Sequence, residues 1–528
     1  MSKVDVESFI KMCITVLGES RVITWGEMVD VSGLKRDVVS VLYPVTIKEV
    51  QAIVGFANQY AVPLYPVSQG KNWGMGSQLP VKDGCAVVNL SKMNRVIEVN
   101  EQFGYAEIEA GVTQGQLSDL LSENNSSLFL DVTGSGRQTS IIGCAIDRGV
   151  AYNSLRAETL VNLKVVLGNG EILETGFGHF PKSVAKNVFK HGVGPDLVGL
   201  FTQGSFGIVV SAVVKLQYKP KSSCSFIISI SSEDRLPGLI DALYQLRSRG
   251  IIQCVAHIAN RNRTALTLSP LMFLFAKNLT EDATRELIDT MIEKEKLGAW
   301  GVVGSIMGTA NHVREVRQQI KRAIADLGKV TFLSDSKIMI SKKVLDVLLF
   351  LPFFLRKRAF LAAVEPLYGM TKGIPTDAAL YSVSWPFKDH AEIDDLDGGD
   401  IGLVYCLPII PSSGRQARFA MDIVEEICSK YGAKPYTTLN LMGNSLETVI
   451  TLAFDKRVDG EAGKAHACNR ELHEALKAEG YLPYRVGINL MDQVIDPDDE
   501  YWHVIRKIKK ALDPNEIISP GRYCLGKE

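Results

Sequence analysis

Residues 66–76 read PVSQGKNWGMG, directly after the strand-like run Leu64–Val67. Three glycines and several small or amide side chains at the end of a strand let the backbone turn sharply and present consecutive N–H groups to an anion. A diphosphate fits such a loop, although a glycine-rich loop by itself is also an ordinary turn. Upstream, Pro44–Tyr60 (PVTIKEVQAIVGFANQY) repeats apolar residues at three and four, with Thr46 placed to cap a helix and Glu49 three residues on. Downstream, strands are predicted at Ala86–Leu90, Val96–Asn100, Tyr105–Ala110, Leu163–Leu167 and Ile208–Gln217. Gly168-Asn169-Gly170 between two apolar runs reads as a tight hairpin turn with two positive-φ residues. Helices mixed with strands that include an antiparallel component predict an α+β domain rather than a doubly wound sheet. No G-x-G-x-x-G fingerprint is present.

From 221 to 470, long helix patterns (Leu236–Arg249, Glu281–Lys294, His312–Leu327, Gln416–Tyr431) alternate with strands such as Phe226–Ile230 and Thr448–Phe454. This is the pattern of a second domain. The last 55 or so residues return to a turn-rich pattern ending in LDPNEIISPGR at Arg522. A chain of 528 residues exceeds a single core and suits two or three domains.

Hydrophobic residues at 46%, charged residues at 22% and a net charge of -1 leave no basic excess to neutralise a phosphate backbone, which argues against a nucleic-acid partner and for a small-molecule substrate. Nine cysteines lack the close pairs of a zinc site or redox motif, and reduced thiols are expected. The N-terminus is too charged for a signal-peptide core, so a cytoplasmic protein is expected. Val344–Leu355 (VLDVLLFLPFFL) is strongly apolar but too short to span a bilayer, which leaves a buried helix kinked at Pro352, an oligomer contact or a membrane-surface patch. The histidines show no metal spacing; His466 and His473 share one face of a predicted helix and read as helix-surface residues, so no metal is expected.

Two more small-residue segments, Thr139–Gly149 (TSIIGCAIDRG) and Gly199–Val209 (GLFTQGSFGIV), follow the glycine-rich loop in order. With the C-terminal LDPNEIISPGR and the Tyr484-Arg485 pair in Gly480–Gln493 (GYLPYRVGINLMDQ), the chain resembles the vanillyl-alcohol oxidase and para-cresol methylhydroxylase family of FAD enzymes from about Pro44 to Pro220 and again at the C-terminus. The resemblance implies an FAD-binding domain made by both chain ends, residues 1–220 and 471–528, with an inserted α+β cap at 221–470. It implies that Pro66, Val67, Ser68, Gln69, Gly70, Lys71, Asn72, Trp73 and Gly74 wrap the diphosphate, that Thr139, Ser140, Gly143 and Cys144 line the flavin, and that Gly204, Gly207, Ile208 and Val209 hold the adenosine side. Arg522 is counted with these. Arg485, permanently cationic, would stabilise negative charge arriving with a hydride, and Tyr484 would donate a hydrogen bond beside it.

Three departures from the family pattern shape the expected chemistry. The loop reads Gly74-Met75-Gly76 where phenol-oxidising members carry a tyrosine, so Met75 should make that side of the substrate pocket apolar. In Leu130–Gly143, Asp131 matches a family Asp, yet the catalytic position falls near Gly134 or Ser135, and Arg137 is a candidate replacement pole for an anionic substrate. Leu403 stands where a covalent flavin link arises in some members, with Tyr405 and Cys406 nearby, so noncovalent FAD is expected. Glu447 and Thr448 replace a His pair.

The leading expectation is hydride transfer to the flavin from a small aromatic or biosynthetic alcohol, amine or alkylphenol-like substrate. The flavin would be reoxidised by O2 or a redox protein, in an enzyme that the resemblance makes a homodimer. The alternatives are a 2-hydroxy-acid dehydrogenase, a flavin-binding scaffold without catalysis, and a membrane-associated redox protein.

Overall fold

The structure is a computed structural model, and it describes residues 3–275, 297–347, 352–380 and 396–526. It is a mixed α and β chain, with three large sheets. In the first, Lys35–Leu42, Cys85–Asn89 and Leu64–Val67 run parallel. Val22–Thr24 and Glu27–Val29 add antiparallel pairs on Lys35–Leu42. The helix Ile47–Tyr60 links two of the parallel strands, and its start is a full capping box: Thr46 accepts from the Glu49 N–H while Glu49 accepts from the Thr46 N–H. Its Val50, Ile53, Val54 and Ala57 are buried, which is the three-and-four spacing that the sequence displays.

The second sheet is antiparallel, in the order Ile172–Glu174, Leu160–Leu167, Gly207–Lys215, Tyr105–Glu109, Val96–Asn100. The hairpin predicted at Gly168–Gly170 is present between its first two strands, but it spans four residues, closed by Leu167 N–H donating to Glu171 O at 2.9 Å. Gly170 is its positive-φ residue (φ 85°); Gly168 is required for another reason, since a Cβ there would meet Asp513 Oδ1 at 2.2 Å.

The third sheet has eight strands, drawn from Ser222 to Asp455 and paired antiparallel throughout. Its strands and the helices Leu236–Ser248, Ala310–Ile324, Gly414–Lys430 and Glu461–Ala478 share one hydrophobic core. The last of these helices crosses the domain boundary expected at 470, because Ala465, Cys468, Leu472 and Leu476 are all buried in that core. His473 on the same helix is buried as well, not at the surface as expected, and desolvation pushes it down to about 4. His466 is half-buried and reaches Ser32 O at 2.9 Å.

The two chain ends are tied together. Leu64 N–H donates to Ile517 O at 2.7 Å and Ser519 N–H to Leu64 O at 2.7 Å, so the C-terminal segment lies beside the strand that leads into the glycine-rich loop. A fully buried Lys509–Asp513 pair at 2.7 Å fixes this turn. Asp513 accepts from the N–H groups of Ile517 and Ile518, and Lys509 donates to Ser205 O and Ile518 O. Hydrogen-bonding every polar atom of the pair offsets the desolvation that a buried ion pair suffers.

The kink expected at Pro352 adjoins residues outside the described ones; from Pro352 the chain is helical to Met370. Residues 348–351 of the apolar run, and the helix predicted at Glu281–Lys294, lie outside the described residues. Val344 and Val347, at the end of the preceding helix, are exposed. No helix among the described residues is long and apolar enough to cross a membrane.

Candidate functional site

A cavity of about 620 Å³ runs between the glycine-rich loop, the second sheet and the eight-stranded sheet. Pro66, Val67, Ser68, Gln69, Gly70, Lys71, Asn72 and Trp73 form one wall. Gly70 (φ 67°) turns that loop, and the N–H groups of Gln69, Gly70, Asn72 and Trp73 donate to no protein acceptor among the described residues. Such a row of unmatched donors on a concave wall is the arrangement that holds a diphosphate. Thr139, Ser140, Gly143 and Cys144 line the neighbouring stretch, where a side chain at Gly143 would meet Ser68 Oγ at 2.8 Å. Gly204, Gly207 and Val209 complete this half.

Gly74, Met75, Ile208 and Glu447, expected at the site, lie off the cavity wall. Ile208 alternates with Gly207 and Val209 along one strand, so it points into the core while they face the cavity. Gly74 (φ 72°) packs beneath the Tyr405 ring, where a Cβ would lie 2.4 Å from Cε2. Met75 is buried behind it. Glu447 is buried beyond the cavity edge, where burial, and then Glu158, push its carboxyl up to about 7 against the pull of Arg148 and Arg485.

Tyr484 and Arg485 both line the cavity, and the guanidinium stacks 5.7 Å from the Tyr484 ring centroid. Arg485 Nη1 meets Asp147 Oδ2 at 3.1 Å. Arg522 Nη2 meets the other oxygen of the same carboxylate at 2.8 Å, and Arg522 Nη1 donates to the Tyr65 hydroxyl at 2.9 Å. Asn72 Nδ2 also donates to Asp147, at 3.0 Å. Burial opposes the charge on Arg485, but Tyr484 and Asp147 outweigh it and hold the guanidinium above its ordinary range. Arg485 Nε is buried without a hydrogen-bond partner, a donor left for a bound group. Asp147 sits within the TSIIGCAIDRG segment, yet its role as a clamp depends on arginines more than 330 residues away and has no local signal.

Thr133, Gly134 and Ser135 are on the wall, with Ser135 Oγ 2.6 Å from Thr133 Oγ1 and accepting from Thr139 Oγ1 at 2.9 Å. Asp131 is not on it: its carboxylate, raised to about 6 chiefly by burial, is taken up by the Asn153 N–H and the Ser154 hydroxyl. Arg137, the candidate anion pole, instead pairs with half-exposed Asp119 at 2.5 Å and does not line the cavity. Leu403 and Tyr405 do line it, on the strand Ile401–Cys406.

The eight-stranded sheet and its surroundings bring in residues that the sequence did not single out. His257 Nδ1 lies 2.7 Å from Asn440 Oδ1, while Asn440 Nδ2 donates to Glu447 O at 2.8 Å, so Nδ1 carries the proton and Nε2 is a bare acceptor. That Nε2 is buried and unpartnered, and burial pushes His257 down to about 4, leaving it neutral. Tyr152 packs 4.5 Å from the His257 ring, and Arg263 stands nearby on the same cavity wall. Among the described residues no group of three acidic, His or Cys side chains could hold a metal ion, and all nine cysteines are free.

Residues 39–176 match a family model described as an FAD binding domain. Over 497 residues the chain is 32% identical to the 1'-carboxy-chondrochloren decarboxylase of Chondromyces crocatus, covering 92% of this chain and 90% of that protein. Over 485 residues it is 28% identical to the flavoprotein subunit of 4-cresol dehydrogenase (hydroxylating) of Pseudomonas putida, covering 90% and 86%. The solved structure of p-cresol methylhydroxylase with substrate bound superposes with a TM-score of 0.84 at 25% identity, over 100% of this chain and 98% of that one.

Proposed function

This chain belongs to the vanillyl-alcohol oxidase and para-cresol methylhydroxylase family of FAD oxidoreductases, and from that premise we propose that it takes a hydride from a small aromatic substrate held between Tyr484 and the cap residues Tyr405 and His257. The observation that carries this reading is the buried, unpartnered Nε of Arg485 on the wall where the glycine-rich half of the cavity meets the cap.

FAD, when bound, supplies the two-electron acceptor. The N–H groups of Gln69, Gly70, Asn72 and Trp73 would hold its diphosphate, and Arg522 and Asp147 set the position of Arg485. Arg485 stabilises the negative charge that builds opposite it, in a site whose low dielectric strengthens the effect. Tyr484 directs its hydroxyl at the substrate. His257 Nε2 accepts from a substrate O–H or N–H, the only role open to that nitrogen in this tautomer. Leu403, Leu407, Val449 and Leu380 supply apolar wall beside these polar groups.

FAD is held noncovalently in this reading, since Leu403 offers no nucleophile. The names of the two relatives, a decarboxylase and a hydroxylating dehydrogenase, differ in the reaction they denote, so the reacting bond has to be found by experiment. The test is the visible spectrum of the purified protein under anaerobic addition of phenols, benzylic alcohols, amines and 2-hydroxy acids, with acid precipitation in parallel. Bleaching by an aromatic substrate and a yellow acid supernatant are expected. Bleaching by 2-hydroxy acids alone would sink the aromatic assignment, and colour kept in the pellet would sink the noncovalent one.

A further inference from the structure

Arg263 is the third residue of the helix Arg261–Phe275 and lines the cap end of the cavity. Its backbone is held in place: Asn260 Oδ1 accepts from the Arg263 N–H at 2.9 Å and from the Thr437 N–H at 3.2 Å, and Asn260 Nδ2 donates to Pro435 O at 3.0 Å. The helix start is therefore pinned to the strand Tyr436–Leu441, and the guanidinium cannot drift away with a loose loop.

The guanidinium itself has no ion-pair or hydrogen-bond partner among the described residues. The groups that raise its charge are the phenols of Tyr405, Tyr152 and Tyr436, and among the described residues no carboxylate stands with them. Burial pulls Arg263 below its ordinary value, which is the mark of a charge taken out of water without compensation. The phenols cannot supply that compensation as phenolates, because burial pushes each of them up, Tyr152 to about 12. They remain O–H donors.

Arg263, Tyr152 and Tyr405 share one wall of the cavity, where they offer N–H and O–H donors to a bound group, and among the described residues no anion answers the guanidinium. Arg485 and Arg522, by contrast, already share Asp147. Resting on the reading of this cavity as the substrate site, we propose that the substrate carries a carboxylate and that Arg263 receives it at the cap end. A planar guanidinium matches a carboxylate with two parallel N–H donors, and the remaining lone pairs take the Tyr152 and Tyr405 hydroxyls, both on the cavity wall. The anion then compensates a cavity-facing cation that the described residues leave unmatched.

The test is calorimetric titration of the FAD-loaded protein with benzoate, phenylacetate and cinnamate, each against its primary amide. Wild type should bind each acid at least tenfold more tightly than its amide. Arg263→Gln should erase that preference by weakening the acids and leaving the amides unchanged, and Arg263→Lys should restore part of it, since it keeps the charge and loses the fork. Equal binding of acid and amide by wild type, or an equal loss of both in Arg263→Gln with the lysine variant no better, would overturn the proposal. FAD content is read separately from the visible spectrum. A protein that takes up no FAD defeats the flavoenzyme reading while its acid-to-amide ratio, measured without flavin, still decides the role of Arg263.

Discussion

Arg485 and Asp147, 338 residues apart in sequence, meet at 3.1 Å between Nη1 and Oδ2. Asp147 closes the short helix Ile141–Ile146 as its C-cap, and Arg522 occupies its other oxygen. One carboxylate thereby sets two cations from the C-terminal end of the chain against the loop formed by Gln69–Trp73, and Asn72 of that loop donates to it as well.

Asp147→Asn should leave two buried guanidiniums facing a neutral amide. Breaking a buried pair by removing one partner destabilises by about 3 kcal/mol or more. Urea unfolding should show a loss of that order, and dialysis should strip FAD from the variant faster than from wild type. Unchanged stability together with full FAD retention would mean that the clamp is dispensable.

Arg485→Met should retain the fold and slow anaerobic bleaching by substrate by roughly 100- to 1,000-fold, the scale on which a preorganised electrostatic donor acts. Arg485→Lys should recover only part of the rate, because the ammonium cannot reproduce the planar donor. Stopped-flow absorbance measures both. A methionine variant as fast as wild type would remove Arg485 from the chemistry.

Glu447 gives a pH dependence of known sign. Its carboxyl, raised to about 7 by burial and by Glu158, binds its proton more tightly in the folded protein than in the unfolded chain. Its contribution to stability is therefore complete below the ordinary carboxylate range and is lost as pH rises through about 7. Glu447→Gln should gain on wild type by up to about 3 kcal/mol between pH 5 and 8. Melting temperatures across that range, taken as the difference between the two proteins, read it directly; parallel curves would show that Glu447 titrates normally.

Gly74→Ala should fail on two counts, since φ is 72° and the new Cβ would lie 2.4 Å from the Tyr405 ring. Strain plus overpacking of this kind destabilises by about 1–3 kcal/mol. The displaced Tyr405 should also weaken substrate binding, measurable as a raised KM. Tyr405→Ala in the same background should recover only part of the stability, because it removes the ring atoms in collision but leaves an alanine at φ 72°.

Local signals were legible in the sequence, and contacts across the chain were not. Thr46 and Glu49 announce their helix because a capping box is made within four residues, and the strand Leu64–Val67 occurs with the predicted boundaries. Ile208 was grouped with Gly207 and Val209, although the period of two along a strand sends it to the opposite face. Arg137 was chosen as the anion pole for its place in a motif, but Asp119 takes it up on the outside of the fold. Arg263 carries no signal, because being unpaired is a property of the neighbours that the fold assembles, Tyr152 from a bend and Tyr405 from the strand Ile401–Cys406. His473 could not be separated from His466 by spacing, since both face the same side of a helix and only depth in the core distinguishes them.

The pairing of Leu64 with Ile518, locked by the buried Lys509–Asp513 pair, also sets the order of events during synthesis. The glycine-rich loop leaves the ribosome early, but Ser519 and Arg522 of the same cavity are translated hundreds of residues later. A nascent chain that has not reached Arg522 holds the loop without its counterpart, so the cavity wall that the loop begins is closed only after residues 519–522 have been made.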